Sequence, residues 1–284
     1  MKRRHALWML GGLVSCGKKE SEAIWRGVMF GIPVSIRFRG IDDDEAQKLG
    51  QEGLEKARKV ERATSLWDEN SSISQLNRDG RISEAMLLKE IILLAKQLYE
   101  ETDGLFDPSI RSYYEWLKKE YAEGRTPPRE DAAKKKELVD FSKVEVTQLT
   151  TAFQIEGMSI SLNAIAQGYA TDLVAGYLEG KVNSALVNFG EYRVVGKKAW
   201  DVEVVGKTIS VSNALAVSSG SGERLSATSV ANHLIDPRTG ESPPPKKVVA
   251  VEAPEAWLAD GLATVVAIGG EVPDSYKGVK VYRF

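Results

Sequence analysis

The sequence predicts an α+β fold, a single compact domain of mixed helices and largely antiparallel strands. Several segments repeat their apolar residues at helical spacing, whereas others are short, alternate between apolar and polar residues, and end at turn residues. The two kinds of segment do not alternate regularly, as they would in a doubly wound parallel sheet. No internal repeat or low-complexity linker divides the sequence. These observations favour one domain in which helices and hairpins are mixed.

The composition is that of an ordinary globular protein, and it excludes several classes of function. Of the 284 residues, 43% are hydrophobic and 27% are charged, which is too apolar for a disordered chain. The 38 basic and 40 acidic residues leave a formal net charge of −2, so no bulk positive field favours nucleic acid as a partner. One cysteine and two histidines exclude an internal disulfide and a histidine-rich metal site. Any metal would therefore need oxygen ligands.

The first residues are typical of an export signal with a lipid anchor. Three basic residues at 2–4 precede an apolar run at 6–14, which is too short to span a bilayer as a permanent helix. Residues 13–16 (LVSC) resemble the lipobox of bacterial lipoproteins, in which the cysteine becomes the acylated first residue. The lipidation site would then be Cys16, and the alternative is a plain secretory signal with an incidental cysteine.

This lipobox sets the expected domain limits and location. Residues 1–15 would be the lipoprotein signal peptide, residues 16–24 the acylated cysteine with a polar tether, and residues 25–284 the folded domain. Two or three acyl chains would hold the mature protein firmly at a membrane. The expected location is the bacterial cell envelope, lipid-anchored and exported, on the periplasmic side of the inner or outer membrane or at the cell surface.

The first half of the folded domain is expected to be mainly helical. Residues 28–38 alternate as one strand, and three aspartates then open a helix from 42 to about 66, because acids in the first turn suit the helix dipole. Apolar residues at helical spacing predict further helices at 83–102 and 109–123. A run of three lysines at 134–136 indicates a solvated helix face.

After Lys143 the patterns become those of short strands and two helices. The expected strands are 144–146, 153–155, 160–162, 184–195, 200–205, 208–211, 214–218, 248–252 and 278–284. Helices are expected at 164–178 and 256–266.

Two segments place polar groups beside a turn or a helix start. Asp107, in residues 104–109 (GLFDPS), precedes a proline on a stiff turn, and a capping role is the alternative to ligand binding. Residues 161–172 (SLNAIAQGYATD) carry small residues at alternate positions, which would let a ligand approach the backbone where a strand meets a helix. A helix N-terminus there would favour phosphate. The alternative is tight helix packing.

Residues 232–240 (NHLIDPRTG) combine a histidine with a turn signature. His233 is the only histidine beyond the predicted signal, because His5 lies within it. An ordinary imidazole has a pKa near 6.5 and can take a hydroxyl proton at neutral pH. A structural role is the alternative for such an isolated histidine.

Asp260 and Thr264 are spaced i, i+4 and therefore share one face of a predicted helix. A carboxylate and a hydroxyl on one helix face, together with a backbone carbonyl from elsewhere in the chain, would form a site of hard oxygen ligands. Such a site suits Mg²⁺ or Ca²⁺. The alternative is that the Thr264 hydroxyl bonds back to its own helix.

Taken in order, these segments resemble the ApbE-type FAD:protein FMN transferase family. The match runs from about Trp25 to the end of the chain and includes Met29 in the opening strand. Its segments are SLWDENSSISQLN (65–77), GLFDPS (104–109), SLNAIAQGYATD (161–172), SALVNFGEYRVVG (184–196), VSSG (217–220), HLIDPRTG (233–240) and LADGLAT (258–264). Each segment alone is a weak signal, whereas the ordered combination over most of the chain is specific.

The resemblance implies an ApbE-like, T-fold-related architecture and a defined reaction. Members of the family remove FMN from FAD and join it by a phosphoester to a Thr or Ser hydroxyl of a target protein, with release of AMP. The implied partners are FAD, as substrate, and an acceptor flavoprotein of the electron-transfer type. Such a transfer requires groups that hold a diphosphate, neutralise developing charge and deprotonate a hydroxyl.

The resemblance also implies a role for individual residues. The Asp260 carboxylate, the Thr264 hydroxyl and the Ala164 carbonyl match the family's metal-ligand positions, which implies Mg²⁺. His233 matches the family's histidine and would act as general base on the incoming hydroxyl. The residues at or next to flavin-site positions are Met29, Trp67, Leu105, Phe106, Asp107, Ser161, Gln167 and Leu234.

Some positions depart from the family pattern. The family often has Asp where Ser161 stands, Lys or Glu where Gln167 stands, and Gly-Gly where Gly190-Glu191 stands, and residues 221–232 diverge as well. These departures concern flavin or adenine recognition rather than the metal and histidine positions. An FAD pyrophosphatase, in which water yields free FMN and AMP, and a non-catalytic FAD-binding lipoprotein are the alternative functions.

Overall fold

The computed structural model describes residues 22–219, 225, 231–244 and 248–284, and it has the α+β fold that the sequence predicts. The predicted signal peptide, Cys16 and most of the tether lie outside the described residues, as does most of the divergent segment 221–232. None of the helices among the described residues is long and apolar enough to cross a membrane.

Strands and helices are mixed along the chain. The strands are β1 (Glu22–Met29), β2 (Ile32–Arg39), β3 (Arg81–Ser83), β4 (Val144–Val146), β5 (Thr150–Phe153), β6 (Ser184–Asn188), β7 (Tyr192–Gly196), β8 (Trp200–Val204), β9 (Lys207–Val211), β10 (Ala214–Ser219), β11 (Val248–Ala253) and β12 (Lys280–Arg283). The helices are α1 (Asp43–Thr64), α2 (Ser72–Asp79), α3 (Met86–Glu101), α4 (Ile110–Ala122), α5 (Arg129–Lys136), α6 (Asn163–Leu178) and α7 (Ala256–Ala267), with a 3₁₀ turn at Phe141–Lys143.

A seven-stranded sheet is the frame of the fold. Its strand order is β1-β2-β6-β7-β10-β11-β12, and each neighbouring pair is antiparallel. A small sheet, β3-β5-β4, and the hairpin β8–β9 complete the described strands. The pairing confirms the prediction of largely antiparallel strands.

Successive side chains of a strand point to opposite faces of the sheet, and the two faces of this sheet belong to different apolar clusters. In β2, Val34, Ile36 and Phe38 are buried in the main core beneath α1, α6 and α7. On the other face, Trp200 of β8 packs with Leu186 and its neighbours in a second apolar cluster. The sheet is therefore covered by helices on one side and in part by the β8–β9 hairpin on the other.

Several predicted elements have different limits in the structure. The strand expected at 28–38 is wrong as one element, because Phe30 and Gly31 take positive φ values of 52° and 72° and turn the chain between β1 and β2. Residues 184–195 likewise divide into β6 and β7, with Gly190 at φ 114°. Residues 160–162 form no strand. The exposed helix at the three lysines is confirmed, since α5 buries none of its residues.

The packing of α6 against α7 positions the candidate site. A Cβ on Gly168 would lie 2.3 Å from the carbonyl oxygen of Ala256, so only glycine permits this approach. The Asp172 carboxylate accepts hydrogen bonds from the N–H groups of Ala256 and Trp257, both at 2.9 Å. Asp172 of α6 thus caps the N-terminus of α7, and the two helices are fixed relative to one another.

Candidate active site

The predicted site residues come together around a cavity of about 640 Å³. Its walls are the loop before α4, one face of α4 itself, the start of α6, one face of α7, the end of β10 and the segment around residue 233. The predicted residues that line it are Trp67, Leu105, Phe106, Asp107, Ser161, Ala164, His233, Leu234, Asp260 and Thr264. The fold therefore brings together residues as far apart in sequence as Trp67 and Thr264.

The α6–α7 wall carries the predicted metal ligands. Asp260 and Thr264 line the cavity from one face of α7, and Ala164 lines it from the first turn of α6. Asp260 is 8% exposed, and its Oδ2 accepts the N–H of Gly168 at 3.2 Å. Burial raises the pKa of Asp260, and the negative charge of Asp172 adds to this effect. A cation beside Asp260 would favour the ionised carboxylate.

The donor chemistry of this wall fits a hard divalent cation. A carboxylate, a hydroxyl and a backbone carbonyl are the oxygen ligands that Mg²⁺ and Ca²⁺ take. Within the described part of the chain, no three histidine, cysteine or acidic side chains converge as a metal cluster. A cation at this wall would therefore depend on the hydroxyl and carbonyl oxygens as well as on Asp260.

The His233 segment is held by its buried neighbours. Asn232 is fully buried, and its Oδ1 accepts the N–H of Leu234 at 2.9 Å while its Nδ2 donates to the carbonyl of Pro243 at 3.2 Å. The predicted turn at 236–240 is confirmed, with the N–H of Gly240 donating to the carbonyl of Asp236 at 2.7 Å. His233 itself is exposed and lines the cavity.

The loop before α4 forms an apolar wall, and Asp107 holds that loop in place. Leu105 and Phe106 are buried and line the cavity. The Asp107 carboxylate accepts hydrogen bonds from the Ser109 N–H at 2.8 Å, the Ser109 hydroxyl at 2.5 Å and the Phe141 N–H at 3.4 Å. Burial raises the pKa of Asp107 to about 6. These bonds hold the turn that leads into α4, whereas the N-cap of the helix itself is Ser109.

Known proteins resemble this chain in sequence and in fold. A family model described as the ApbE family matches residues 30–275, which is most of the chain. The chain belongs to the ApbE family. The FAD:protein FMN transferase of Klebsiella pneumoniae (strain 342) is 24% identical over 235 residues, which cover 76% of this chain and 72% of that protein.

Solved ApbE structures share the fold of this chain. The flavin transferase ApbE from Vibrio cholerae has a TM-score of 0.73 at 20% identity, and the match covers 93% of both chains. The apo flavinyl transferase ApbE from Pseudomonas stutzeri has a TM-score of 0.74 at 20% identity, with 93% of this chain and 92% of that chain covered. The ApbE protein of Thermotoga maritima has a TM-score of 0.73 at 23% identity, with 87% of each chain covered.

Two predicted flavin-site residues of this ApbE family member lie away from the cavity lining. Met29 ends β1 and is 2% exposed within the main core. The side chain of Gln167 lies over Gly190, since a Cβ there would be 2.5 Å from Gln167 Oε1. Sequence reasoning could not separate them from the other flavin-site positions, because the matching segments fix order along the chain and not side-chain direction. Their roles stay predictions.

The structure adds a buried acid beside the α6–α7 wall of the cavity. Glu191 is 7% exposed, and its Oε2 accepts the N–H of Val217 at 3.1 Å. Burial, together with the charge of Asp260, raises the pKa of Glu191 well above its ordinary value. The departure from Gly-Gly was visible in the sequence, whereas the proximity of Glu191 to Asp260 was not. Glu191 supports the end of β10 where Val217 reaches the cavity.

Sequence reasoning also missed a polar face of α4. Arg111, Tyr114, Glu115 and Lys118 line the cavity at positions i, i+3, i+4 and i+7. This spacing is the signal that could have revealed a shared face. The pattern alone gives no sign that a cavity lies beneath it, since polar stripes usually face solvent.

Proposed function

We propose that this protein is an Mg²⁺-dependent FAD:protein FMN transferase. It would move the FMN moiety of FAD to a Thr or Ser hydroxyl of an acceptor flavoprotein and release AMP. The observation that carries this proposal is one cavity lined by Asp260, Thr264 and Ala164 and also by the exposed His233. The family membership and the names of its relatives support the same activity.

The substrate would lie between the apolar and polar walls of the cavity. Leu105, Phe106 and Leu234 offer buried apolar surface for a flavin ring. Trp67 lies at the rim and is 89% exposed, so its indole can stack on a ring that projects from the cavity. Ser161 precedes the first turn of α6, where backbone N–H groups favour phosphate.

Asp260, Thr264 and Ala164 would hold the Mg²⁺ ion through carboxylate, hydroxyl and carbonyl oxygens. When bound, Mg²⁺ supplies positive charge that stabilises the phosphoryl oxygens in the transition state. The Gly168 N–H fixes the direction of the Asp260 carboxylate by its 3.2 Å hydrogen bond. The packing of α6 on α7 therefore sets the spacing of the three ligands.

His233 would take the proton of the incoming hydroxyl. The hydroxyl oxygen attacks the FMN phosphorus, a new P–O bond forms, and the bond to the bridging oxygen breaks so that AMP leaves with that oxygen. The exposure of His233 suits this role, because the nucleophile belongs to another protein. Asn232 and the 236–240 turn hold the backbone on either side of it.

We further propose that Cys16 carries a lipid anchor and that the domain works in the bacterial cell envelope. The motif at residues 13–16 supports this location. An acceptor of the electron-transfer type, attached to or exported across the same membrane, would then be within reach.

Product analysis tests the reaction. The full chain in detergent is incubated with FAD, Mg²⁺ and an exported electron-transfer flavoprotein, and the acceptor is denatured before its flavin fluorescence is read. Protein-linked FMN with an equal amount of AMP is expected. Free FMN with AMP would instead make the protein an FAD pyrophosphatase, and unchanged FAD that remains bound would make it a binding protein.

The metal assignment has its own control. Asp260→Ala is expected to lower transfer by orders of magnitude, because it removes the carboxylate of the proposed set. EDTA should have the same effect on the unaltered protein. Asp44→Asn removes one acidic charge from the exposed first turn of α1 and should leave transfer unchanged. Full activity in EDTA would refute the metal proposal.

A further inference from the structure

One face of α4 forms a wall of the cavity that contributes no residue to the proposed reaction. Arg111, Tyr114, Glu115 and Lys118 lie on this face, whereas the buried residues of the helix face the protein. Arg111 and Lys118 are the cationic residues of the described lining, which also contains the acidic residues Asp107, Glu115 and Asp260. An anionic ligand would need cationic groups among these carboxylates.

Arg111 has a hydrogen-bonding group that the described protein does not satisfy. Its side chain is 21% exposed, and its Nε is buried without a hydrogen-bond partner among the described residues. Its Nη1 pairs with Glu115 Oε1 at 3.0 Å. A buried donor without an acceptor destabilises the folded protein, and more so when the group is charged. A change of the Arg111 rotamer toward the cavity would let a ligand oxygen accept a hydrogen bond from this group.

The start of α4 is bonded to the segment that leads into α6. The Ser112 hydroxyl accepts the N–H of Ser159 at 2.8 Å, and the N–H of Ser161 donates to the carbonyl of Pro108 at 3.0 Å. Ala164, which lines the same cavity, follows within the first turn of α6. Arg111 is therefore held on a rigid element beside the proposed metal wall rather than on a free loop.

We propose that Arg111 binds a phosphate oxygen of the nucleotide diphosphate, a role that rests on the proposed function of the cavity. Its planar guanidinium presents several N–H donors in a fixed geometry that suits phosphate. The pair with Glu115 orients this guanidinium, and Glu115 is nearly half exposed, so water screens its repulsion of the phosphate. Arg111 would thus fix the diphosphate for the attack of the hydroxyl.

Binding measurements with matched ligands test this role. Arg111→Gln should weaken FAD and ADP binding about 10- to 100-fold, the size expected for a charge-assisted hydrogen bond. Riboflavin and adenosine, which carry no phosphate, should bind the variant as they bind the unaltered protein. Arg111→Lys keeps the charge without the planar donors and should be intermediate. Lys119→Gln removes a charge from an exposed position of the same helix and should change none of these affinities.

Several results would overturn the proposal. An equal loss of affinity for riboflavin and FAD would show that Arg111 only shapes the cavity. Unchanged FAD and ADP affinities with slower transfer to the acceptor would show that the guanidinium meets the acceptor protein instead. Thermal unfolding completes the test: ADP should raise the Tm of the unaltered protein but not that of Arg111→Gln. If the unaltered protein binds ADP no more tightly than adenosine, no phosphate is recognised and the proposal fails.

These measurements separate the inference from the proposed function. A protein that binds FAD through Arg111 but forms no protein-linked FMN would refute the transfer and leave the role of Arg111 intact. A protein that transfers FMN at the normal rate and with normal FAD affinity after Arg111→Gln would refute Arg111 alone.

Discussion

At the scale of single residues, His233 combines an exposed imidazole with a fixed backbone. Asn232 and Leu234 on either side are buried, and the Asn232 side chain bonds to the backbone of the segment. A change of the imidazole should therefore leave the segment folded. A substitution of His233 can therefore distinguish a catalytic role from a structural role.

His233→Ala is expected to bind FAD normally and to lose transfer about 10²- to 10⁴-fold, as removal of a general base does. The rate of the unaltered enzyme should rise with pH through one ionisation that the variant lacks. FAD affinity by fluorescence quenching and protein-linked flavin after denaturation are the paired measurements. A variant that loses flavin binding and stability together would assign His233 a structural role.

Asp107 predicts a pH dependence of stability. Burial raises its pKa from an ordinary value of 3.8 to about 6, so between these values the folded state holds a proton that the unfolded state releases. The stabilisation from this proton is present below about pH 4 and is lost as the pH rises through 6. The free energy of unfolding of the unaltered protein, minus that of Asp107→Asn, should fall by about 1 kcal/mol between pH 5 and 7. Urea unfolding at the two pH values measures it, and a difference that does not change with pH would mean that Asp107 is ionised throughout.

At the scale of elements, the contact between α6 and α7 determines the relative positions of the site residues on these two helices. Gly168 provides the close approach and the hydrogen bond to Asp260, and Asp172 caps α7. Ala164 and Asp260 lie on different helices, so their separation depends on this contact. A small change in helix spacing should therefore affect both stability and activity.

Gly168→Ala should destabilise the fold by about 1–3 kcal/mol, because the new Cβ would meet the backbone of Ala256 and Trp257 rather than a flexible side chain. This loss should exceed the gain of up to about 1 kcal/mol in helix propensity. Transfer should fall as well, since α7 carries Asp260. Gly176→Ala is the matched control in the same helix: its Cβ would meet nothing within 4 Å, so it should stabilise the protein slightly and keep full activity. Equal stability of the two variants would refute the close-approach argument.

The limits of the elements were less predictable than their existence. The two strands in residues 28–38 and the two in residues 184–195 are separated by turns with positive φ, at Phe30 and at Gly190 among others. Alternation of apolar residues continues across such tight turns, because both strands of a hairpin face the same core. The alternation of apolar residues therefore predicts one strand where the chain forms two.

At the scale of the whole molecule, the cavity depends on elements from the entire chain. Trp67, Arg111, Ser161, His233 and Asp260 contribute to one wall or another, and no two of them are near in sequence. The large sheet fixes the relative positions of these segments. The helices cover the sheet on the face that carries the main core. A chain truncated at either end would lose β1 or β12, which are the two edge strands of the large sheet.

The membrane anchor can be tested on the whole protein. Cys16→Ala should block acylation and move the protein out of the detergent phase, because the acyl chains would supply the membrane affinity. Phase partitioning and the intact mass of the purified protein are the measurements. The lipid anchor would be disproved by a variant that partitions like the unaltered protein and keeps the same lipidated mass.

The sequence by itself determined the fold class, the family and the residues expected at the site. Periodicity marks helices and strands because burial on one face imposes it, and the ordered motifs around Asp107, His233 and Asp260 are local in the chain. Only the tertiary structure decided which side chains reach the cavity. It places Met29 in the core, turns Gln167 over Gly190, brings Glu191 beside Asp260 and places Arg111 in the lining of the cavity. Side-chain direction depends on how the helices pack on the sheet, and that packing is fixed by contacts between residues far apart in sequence.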